Sequence, residues 1–335
     1  MSFPLPEFIQ LYPTTRCNQH CYFCFNNPSL ARVDNAFDLP YERALTLLDI
    51  LGANSVKEID IMGGEPLILP WMPDFIEIAL EKRMTVNIST NGSNAEAFSR
   101  LKNVDPRKCT IGISLEGSKS ESHNVITNSS HFDVAVKSIE SLVSFGLDPV
   151  VKTVITRSNL HDLQNIIDLV KGIGVRRYYL IHMDLMSGNT SLMKDAMDFI
   201  NFERCYQFFR RANPDMGIFK VHASCFHRNL LPDGVRCAGG VRKISISPDG
   251  SVFPCNLFHG FGEFNLGNIF ESDLSSLWNG PKLTPFREYR GNRCENGHCA
   301  NRALCTGGCP AHGYYHHGDT EHMDIRCTLP LGTLS

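Results

Sequence analysis

No apolar run in this 335-residue chain approaches the roughly 20 residues that a membrane-spanning helix needs. The opening stretch MSFPLPEFIQLYP lacks the basic start and long apolar segment of a signal peptide. An excess of one charge is missing too. The net charge is −3 and the pI near 6.5, so nothing attracts nucleic acid or anionic lipid in general. Internal repeats and low-complexity stretches are absent. These absences predict a cytoplasmic protein without nucleic-acid or membrane partners.

Cysteine, by contrast, is plentiful. There are thirteen, an odd number, which argues against a fully paired disulfide framework. Most fall at 17–24 and across 225–327. Clustered cysteines in a reducing compartment usually bind metal. Hydrophobic residues are 42% of the chain and charged residues 20%, which predicts a sizeable core.

Strand-like runs at 8–14, 57–62, 85–90, 109–115, 149–156 and 177–183 alternate with helical periodicity at 41–52, 72–83, 94–102, 132–145 and 160–172. Such alternation implies an α/β fold with a parallel sheet. Six units are too few for an eight-stranded barrel, so the expectation is a partial (β/α)6 TIM-like barrel over 1–215. A helical connection is expected at 194–212. After residue 220 the chain becomes dense in Gly, Cys, Pro and His. A small cysteine-rich domain is expected over 216–335, with a hairpin turning at Pro248-Asp249-Gly250. Sites in parallel α/β sheets gather at the carboxyl ends of strands.

Directly after the first strand stand Cys17, Cys21 and Cys24, at a Cys-x3-Cys-x2-Cys spacing. Three neighbouring thiolates suit three irons of a 4Fe–4S cube and leave the fourth iron open, whereas structural zinc wants four closed ligands. Gly63-Gly64-Glu65-Pro66 ends the second strand, Ser89-Thr90-Asn91-Gly92 the third and Ser114-Leu115-Glu116-Gly117 the fourth. This set resembles the radical S-adenosylmethionine (radical SAM) superfamily. The resemblance implies that the open iron binds the methionine moiety of S-adenosylmethionine, with Phe23 as the usual aromatic before the third cysteine. It also implies that Gly63 and Gly64 approach the cofactor, Glu65 accepts from its ammonium, and Ser89, Asn91 and Ser114 line its remaining contacts. Relatives commonly show His-Asp-x-x-Arg-Gly, with an arginine for the cofactor carboxylate. Here the run is His123-Asn124-Val125-Ile126-Thr127-Asn128, and Arg157 is the candidate substitute.

The later cysteines are Cys237, Cys255, Cys294, Cys299, Cys305, Cys309 and Cys327. With Cys305-Thr306-Gly307-Gly308-Cys309-Pro310 they resemble the SPASM extension, a seven-cysteine domain for auxiliary iron–sulfur clusters. Family ligation assigns one cluster to Cys237, Cys255 and Cys309, with Cys225 or an open position as the fourth ligand. It assigns a second to Cys294, Cys299, Cys305 and Cys327. Zinc ribbons are the plain alternative. Three [4Fe–4S] clusters are expected in all.

By resemblance, the reaction is reductive cleavage of S-adenosylmethionine to a 5′-deoxyadenosyl radical that abstracts a substrate hydrogen. An electron donor such as flavodoxin or ferredoxin would be a partner. Modification of a peptide or protein, by crosslinking or side-chain oxidation, is the first expectation. Only 16 residues precede Cys17, so a separate leader-peptide-binding protein is expected if a leader is read. Dehydrogenation or rearrangement of a small molecule such as a sugar or cyclitol is the second. A non-catalytic iron–sulfur electron carrier is the alternative from another class. Sulfatase maturases carry an Asp base after the second auxiliary cysteine; Asn256 stands there instead and cannot take a proton. Glu116, His182 and Asp184, at strand ends, are the acid–base candidates. Cys225 has a competing role as hydrogen-atom donor.

Overall fold

The computed structural model describes residues 4–26, 37–187, 191–226, 235–288, 294–295, 297, 299 and 301–327. Six strands run through its first half: β1 (Phe8–Leu11), β2 (Glu58–Ile61), β3 (Thr85–Thr90), β4 (Cys109–Ser114), β5 (Val150–Ile155) and β6 (Arg177–His182). Each pairs in parallel with the next. Between them lie α1 (Tyr41–Ala53), α2 (Met72–Glu81), α3 (Ala95–Arg100), α4 (Ser120–Thr127), α5 (Phe132–Ser144) and α6 (Leu163–Ile173). The helices bury one stripe each, as α6 does with Leu163, Ile166, Ile167 and Val170. The strands alternate. In β6, Tyr178, Leu180 and His182 are buried, while Arg177, Tyr179 and Ile181 are half-buried on the opposite, inner face.

β1 stops short of the expected residue 14 because Pro13 has no N–H to continue the ladder. The helical connection expected at 194–212 is broken into α7 (Leu192–Asp195) and α8 (Phe199–Ala212). Asp198 makes the break by capping α8, its carboxylate accepting from Asn201 N at 3.0 Å. Two further elements were not apparent in the sequence: α4, and β7 (Gly217–Val221), which pairs in parallel with β6.

The predicted hairpin is present as β8 (Lys243–Ile246) and β9 (Ser251–Phe253), and β10 (Gly267–Asn268) adds to it. β8 also pairs in parallel with β1, Phe8 opposite Lys243. One ten-stranded sheet results, in the order β10-β9-β8-β1-β2-β3-β4-β5-β6-β7. The cysteine-rich half is therefore built onto the sheet. Three short helices complete it: α9 (Leu274–Trp278), α10 (Thr284–Glu288) and α11 (Pro310–His317). The buried Trp278 donates its indole N–H to Pro4 O at 2.7 Å, tying α9 to the start of the chain. Among the described residues no helix is long and apolar enough to cross a membrane.

Candidate active site and cysteine sets

The loop after β1 carries Cys17, Cys21 and Cys24, all half-buried free thiols. Two neighbours fix it. His20 N and Tyr22 N donate to the carbonyls of Thr127 and Ile126 at the end of α4. On the other side Gly64 N donates to Thr14 O and Glu65 N to Arg16 O. The glycines have a definite reason. A Cβ on Gly64 would lie 1.9 Å from Arg16 O, and one on Gly63, at φ +126°, 2.6 Å from Thr14 O. Gly63 and Gly64 thus admit the cysteine loop itself.

Burial pushes all three thiols up, Cys24 to about 11, and the three crowd one another electrostatically. Such thiols stay protonated until a cation replaces the protons, the behaviour of a metal-binding set. Gln19 N already points at Cys17 Sγ, 3.4 Å away. The donor set fits an iron–sulfur cluster.

Glu65 is buried, and both its carboxylate oxygens are engaged. Oε1 accepts from Leu67 N and Thr90 Oγ1, and Oε2 from Asn91 N at 2.7 Å. Burial raises its pKa to about 7. Asn91 in turn donates to Asn18 Oδ1 in the cysteine loop at 2.7 Å. The ends of β2 and β3 are thereby locked to the loop. Ser89 Oγ accepts from the half-buried Lys152 Nζ at 2.7 Å, and Ser114 lies in register beside Lys152. Phe23 packs with Tyr22 against Met183, Leu185, Leu192 and Ala196. Arg157 donates from Nε to Ala196 O, and its N–H to Asp195 O. Asp195 also accepts from the Tyr22 hydroxyl. Arg157 is thereby linked through Asp195 to Tyr22 of the cysteine loop.

The three acid–base candidates separate. Glu116 is buried at the end of β4, near enough to Cys21 to act on it electrostatically. Its Oε2 accepts from Val154 N, and burial raises its pKa to about 8. His182 does not face the mouth of the sheet. The alternation of β6 turns it outward, where it stacks on Phe202 at 4.6 Å and bonds Met197 O through Nε2 at 2.9 Å. Burial lowers its pKa to about 3. Asp184 is held at 2.9 Å by Arg326, from the cysteine-rich half.

The later cysteines form two sets. Cys225 is fully buried and hydrogen-bonded to Cys309, with Cys237 beside them; Cys255 neighbours Cys237 and Cys309. Burial raises the Cys225 thiol, and hydrogen bonds from Cys225 and His312 hold Cys309 low. Cys305 and Cys327 both neighbour Cys294, and Cys299 lies beside Cys305. Four-cysteine sets are what closed cubes require.

Two buried arginines were missed from the sequence. Arg236 donates to the carbonyls of Gly307, Gly308, Thr320 and His322. Arg326 bonds Asp324, Asp184 and Met183 O. Each directly precedes a cysteine of these sets, Cys237 or Cys327, and that adjacency was the available signal. Asn256 donates from Nδ2 to the Tyr12 hydroxyl at 2.9 Å, so it joins β1 to the auxiliary set.

Residues 11–171 match the family model of the radical SAM superfamily, and residues 237–310 that of SPASM, an iron–sulfur cluster-binding domain. The antilisterial bacteriocin subtilosin biosynthesis protein AlbA of Bacillus subtilis is 25% identical, over 92% of this chain and 68% of its own. The AdoMet-dependent heme synthase of Nitratidesulfovibrio vulgaris is 24% identical, over 97% and 93%. The crystal structure of Streptococcus suis SuiB bound to S-adenosylmethionine superposes with a TM-score of 0.82 at 20% identity, covering 97% of this chain and 78% of that one. SuiB bound to its precursor peptide SuiA gives 0.80 at 19%, over 98% and 77%. These likenesses establish the mixed α/β fold with its parallel sheet and a C-terminal SPASM domain.

Proposed function

The chain belongs to the radical SAM superfamily and carries a SPASM iron–sulfur domain, and we propose that it is a peptide-modifying enzyme with three [4Fe–4S] clusters. The observation that carries this reading is the assembly of eleven cysteines into three sets, the first at the carboxyl end of β1. When bound, the first cluster supplies the electron that cleaves S-adenosylmethionine and so generates the radical that abstracts a hydrogen atom.

The chain's own residues bind, orient and shield. Cys17, Cys21 and Cys24 hold the first cluster, and Gly63 and Gly64 let their loop sit against β2. Glu65, with a lone pair left on Oε2, takes the methionine ammonium. Ser89, Asn91, Ser114, Arg157 and Phe23 line the rest of the cofactor site. Cys225, Cys237, Cys255 and Cys309 hold one auxiliary cluster, and Cys294, Cys299, Cys305 and Cys327 the other. Glu116, neutral at pH 7 with its pKa near 8, is the acid–base group best placed beside the cysteine loop. Asp184, committed to Arg326, orders the junction between the sheet and the auxiliary ligands. Residues 1–215 supply the radical site and 216–335 the auxiliary ligands, joined through β1 and β8. The protein works in the cytoplasm with a flavodoxin- or ferredoxin-type donor. A peptide substrate is supported by AlbA's role in subtilosin bacteriocin biosynthesis and by SuiB's complex with a precursor peptide.

The test is anaerobic reconstitution followed by reduction with dithionite in the presence of S-adenosylmethionine. Release of 5′-deoxyadenosine and about four irons per cysteine set are expected. Zinc in place of iron, or no release, overturns the reading. In Cys225→Ala the iron content falls; unchanged iron would return Cys225 to the role of hydrogen-atom donor.

A further inference from the structure

The outer and inner faces of β7 differ. Outward, Ile218 is buried, and Lys220 pairs with Glu203 of α8 and lies over Tyr206. Inward, Phe219 and Val221 are 45% and 42% exposed. Among the described residues no strand pairs with the far side of β7, the end of the sheet. Register extends this inner face across the sheet. Val154, Ile181 and Val221 form one row over β5, β6 and β7, and Lys152, Tyr179 and Phe219 the row beside it. Tyr179 and Phe219 touch, with ring centroids 5.2 Å apart. Tyr179, Ile181, Phe219 and Val221 belong to neither packed core cluster.

The row has a direction. Its inner end, Val154, packs against the same Met183, Leu185, Leu192 and Ala196 that receive Phe23 of the cysteine loop. Val154 also donates its N–H to Glu116. An apolar wall thus leads from the radical site to an edge strand. Edge strands offer unpaired N–H and C=O groups, which extended peptides use to add themselves to a sheet. Side chains on one face of a strand repeat at about 6.6 Å, in peptide and sheet alike.

We propose that an extended apolar segment of the peptide substrate adds alongside β7, setting alternate side chains beside Phe219 and Val221, whose rows continue inward through Tyr179 and Ile181. This rests on the peptide-modifying reading above. A strand laid beside β7 is about three inter-strand spacings, roughly 14 Å, from β5, so the segment anchors the substrate and the reacting residue lies further along the chain. A second copy of this chain explains the edge strand but not the continuity of the wall with the cysteine loop.

Reconstituted protein with S-adenosylmethionine is panned anaerobically against a displayed library of random peptides of about twelve residues. The selected peptides carry apolar residues at alternate positions, and they bind Val221→Asp and Phe219→Ser at least 10-fold more weakly. Iron content and thermal midpoint report that both exposed-site variants are folded. No selected peptide, selection without the alternating pattern, or equal binding by both variants overturns the proposal. So does a concentration-dependent dimer that Val221→Asp disperses, which would assign the face to a second copy. These results leave the radical chemistry standing, whereas failure of the unaltered protein to release 5′-deoxyadenosine removes the reading on which the proposal rests.

Discussion

Replacing Gly64 with Ala places a methyl group where the backbone of the cysteine loop already runs. The new Cβ would meet Arg16 O at 1.9 Å and Arg16 C at 2.4 Å, and ordinary contact begins at 3.4 Å. One segment must retreat by the difference, 1.5 Å, and the nearest thiol, Cys17, is the next residue along. That shift breaks the hydrogen bonds from Gly64 N to Thr14 O and from Glu65 N to Arg16 O. At about 1 kcal/mol each, with some repacking, the expected loss is about 2–3 kcal/mol. Gly172→Ala is the control, since nothing lies within 4 Å of it and it sits inside α6. That change should add about 0.5–1 kcal/mol. The assays are the denaturation midpoint and iron per chain after anaerobic reconstitution. Gly64→Ala should lose the iron held by Cys17, Cys21 and Cys24 and keep the iron of the later sets. If it keeps the full iron content and the midpoint of the unaltered protein, the close approach is not what positions the loop.

Two further outcomes follow from the site. His182→Ala removes the stacking on Phe202 and the bond to Met197 O, so stability should fall by about 2–4 kcal/mol. Release of 5′-deoxyadenosine per folded molecule should persist; its loss in a folded variant would put His182 back in the chemistry. Glu116→Gln tests a buried carboxyl whose pKa stands near 8 in the fold, above its ordinary 4.5. As pH rises between those values the unfolded chain releases the proton first, so the unaltered protein loses stability. Glutamine escapes that loss and can still accept from Val154 N. The variant's advantage should be absent near pH 4 and grow to a few kcal/mol by pH 8. A pH-independent difference between the two midpoints would refute the buried-carboxyl account.

What the sequence disclosed was whatever is written locally. Alternating apolar runs placed β1 to β6 to within a residue or two at most ends. The cysteine spacings and Gly63-Gly64-Glu65-Pro66 marked the loops at the carboxyl ends of β1 and β2, which the structure brings together. The direction in which His182 points was not local: Leu180 and Ile181 put apolar residues on both faces of β6, so the burial of Tyr178, Leu180 and His182 is decided by what packs against that face. A place at a strand end fixes no parity, so it does not say which face a residue takes. Asp184 lay outside any such rule, since its partner Arg326 is 142 residues away.

The same distinction explains the sheet. β8 pairs with β1 across 235 positions, and the pairing is decided by the shared apolar face of Ile9, Leu11, Ile244 and Ile246. No periodicity within either strand announces a partner so distant, and the dense cysteines around β8 suggested a separate metal-held unit. β7 is hidden for another reason. Its sequence, Gly217-Ile218-Phe219-Lys220-Val221, puts apolar residues on both faces, the signature of a strand covered on both sides. The structure covers only one. Phe219 and Val221 thus have the composition of a buried face without a cover among the described residues.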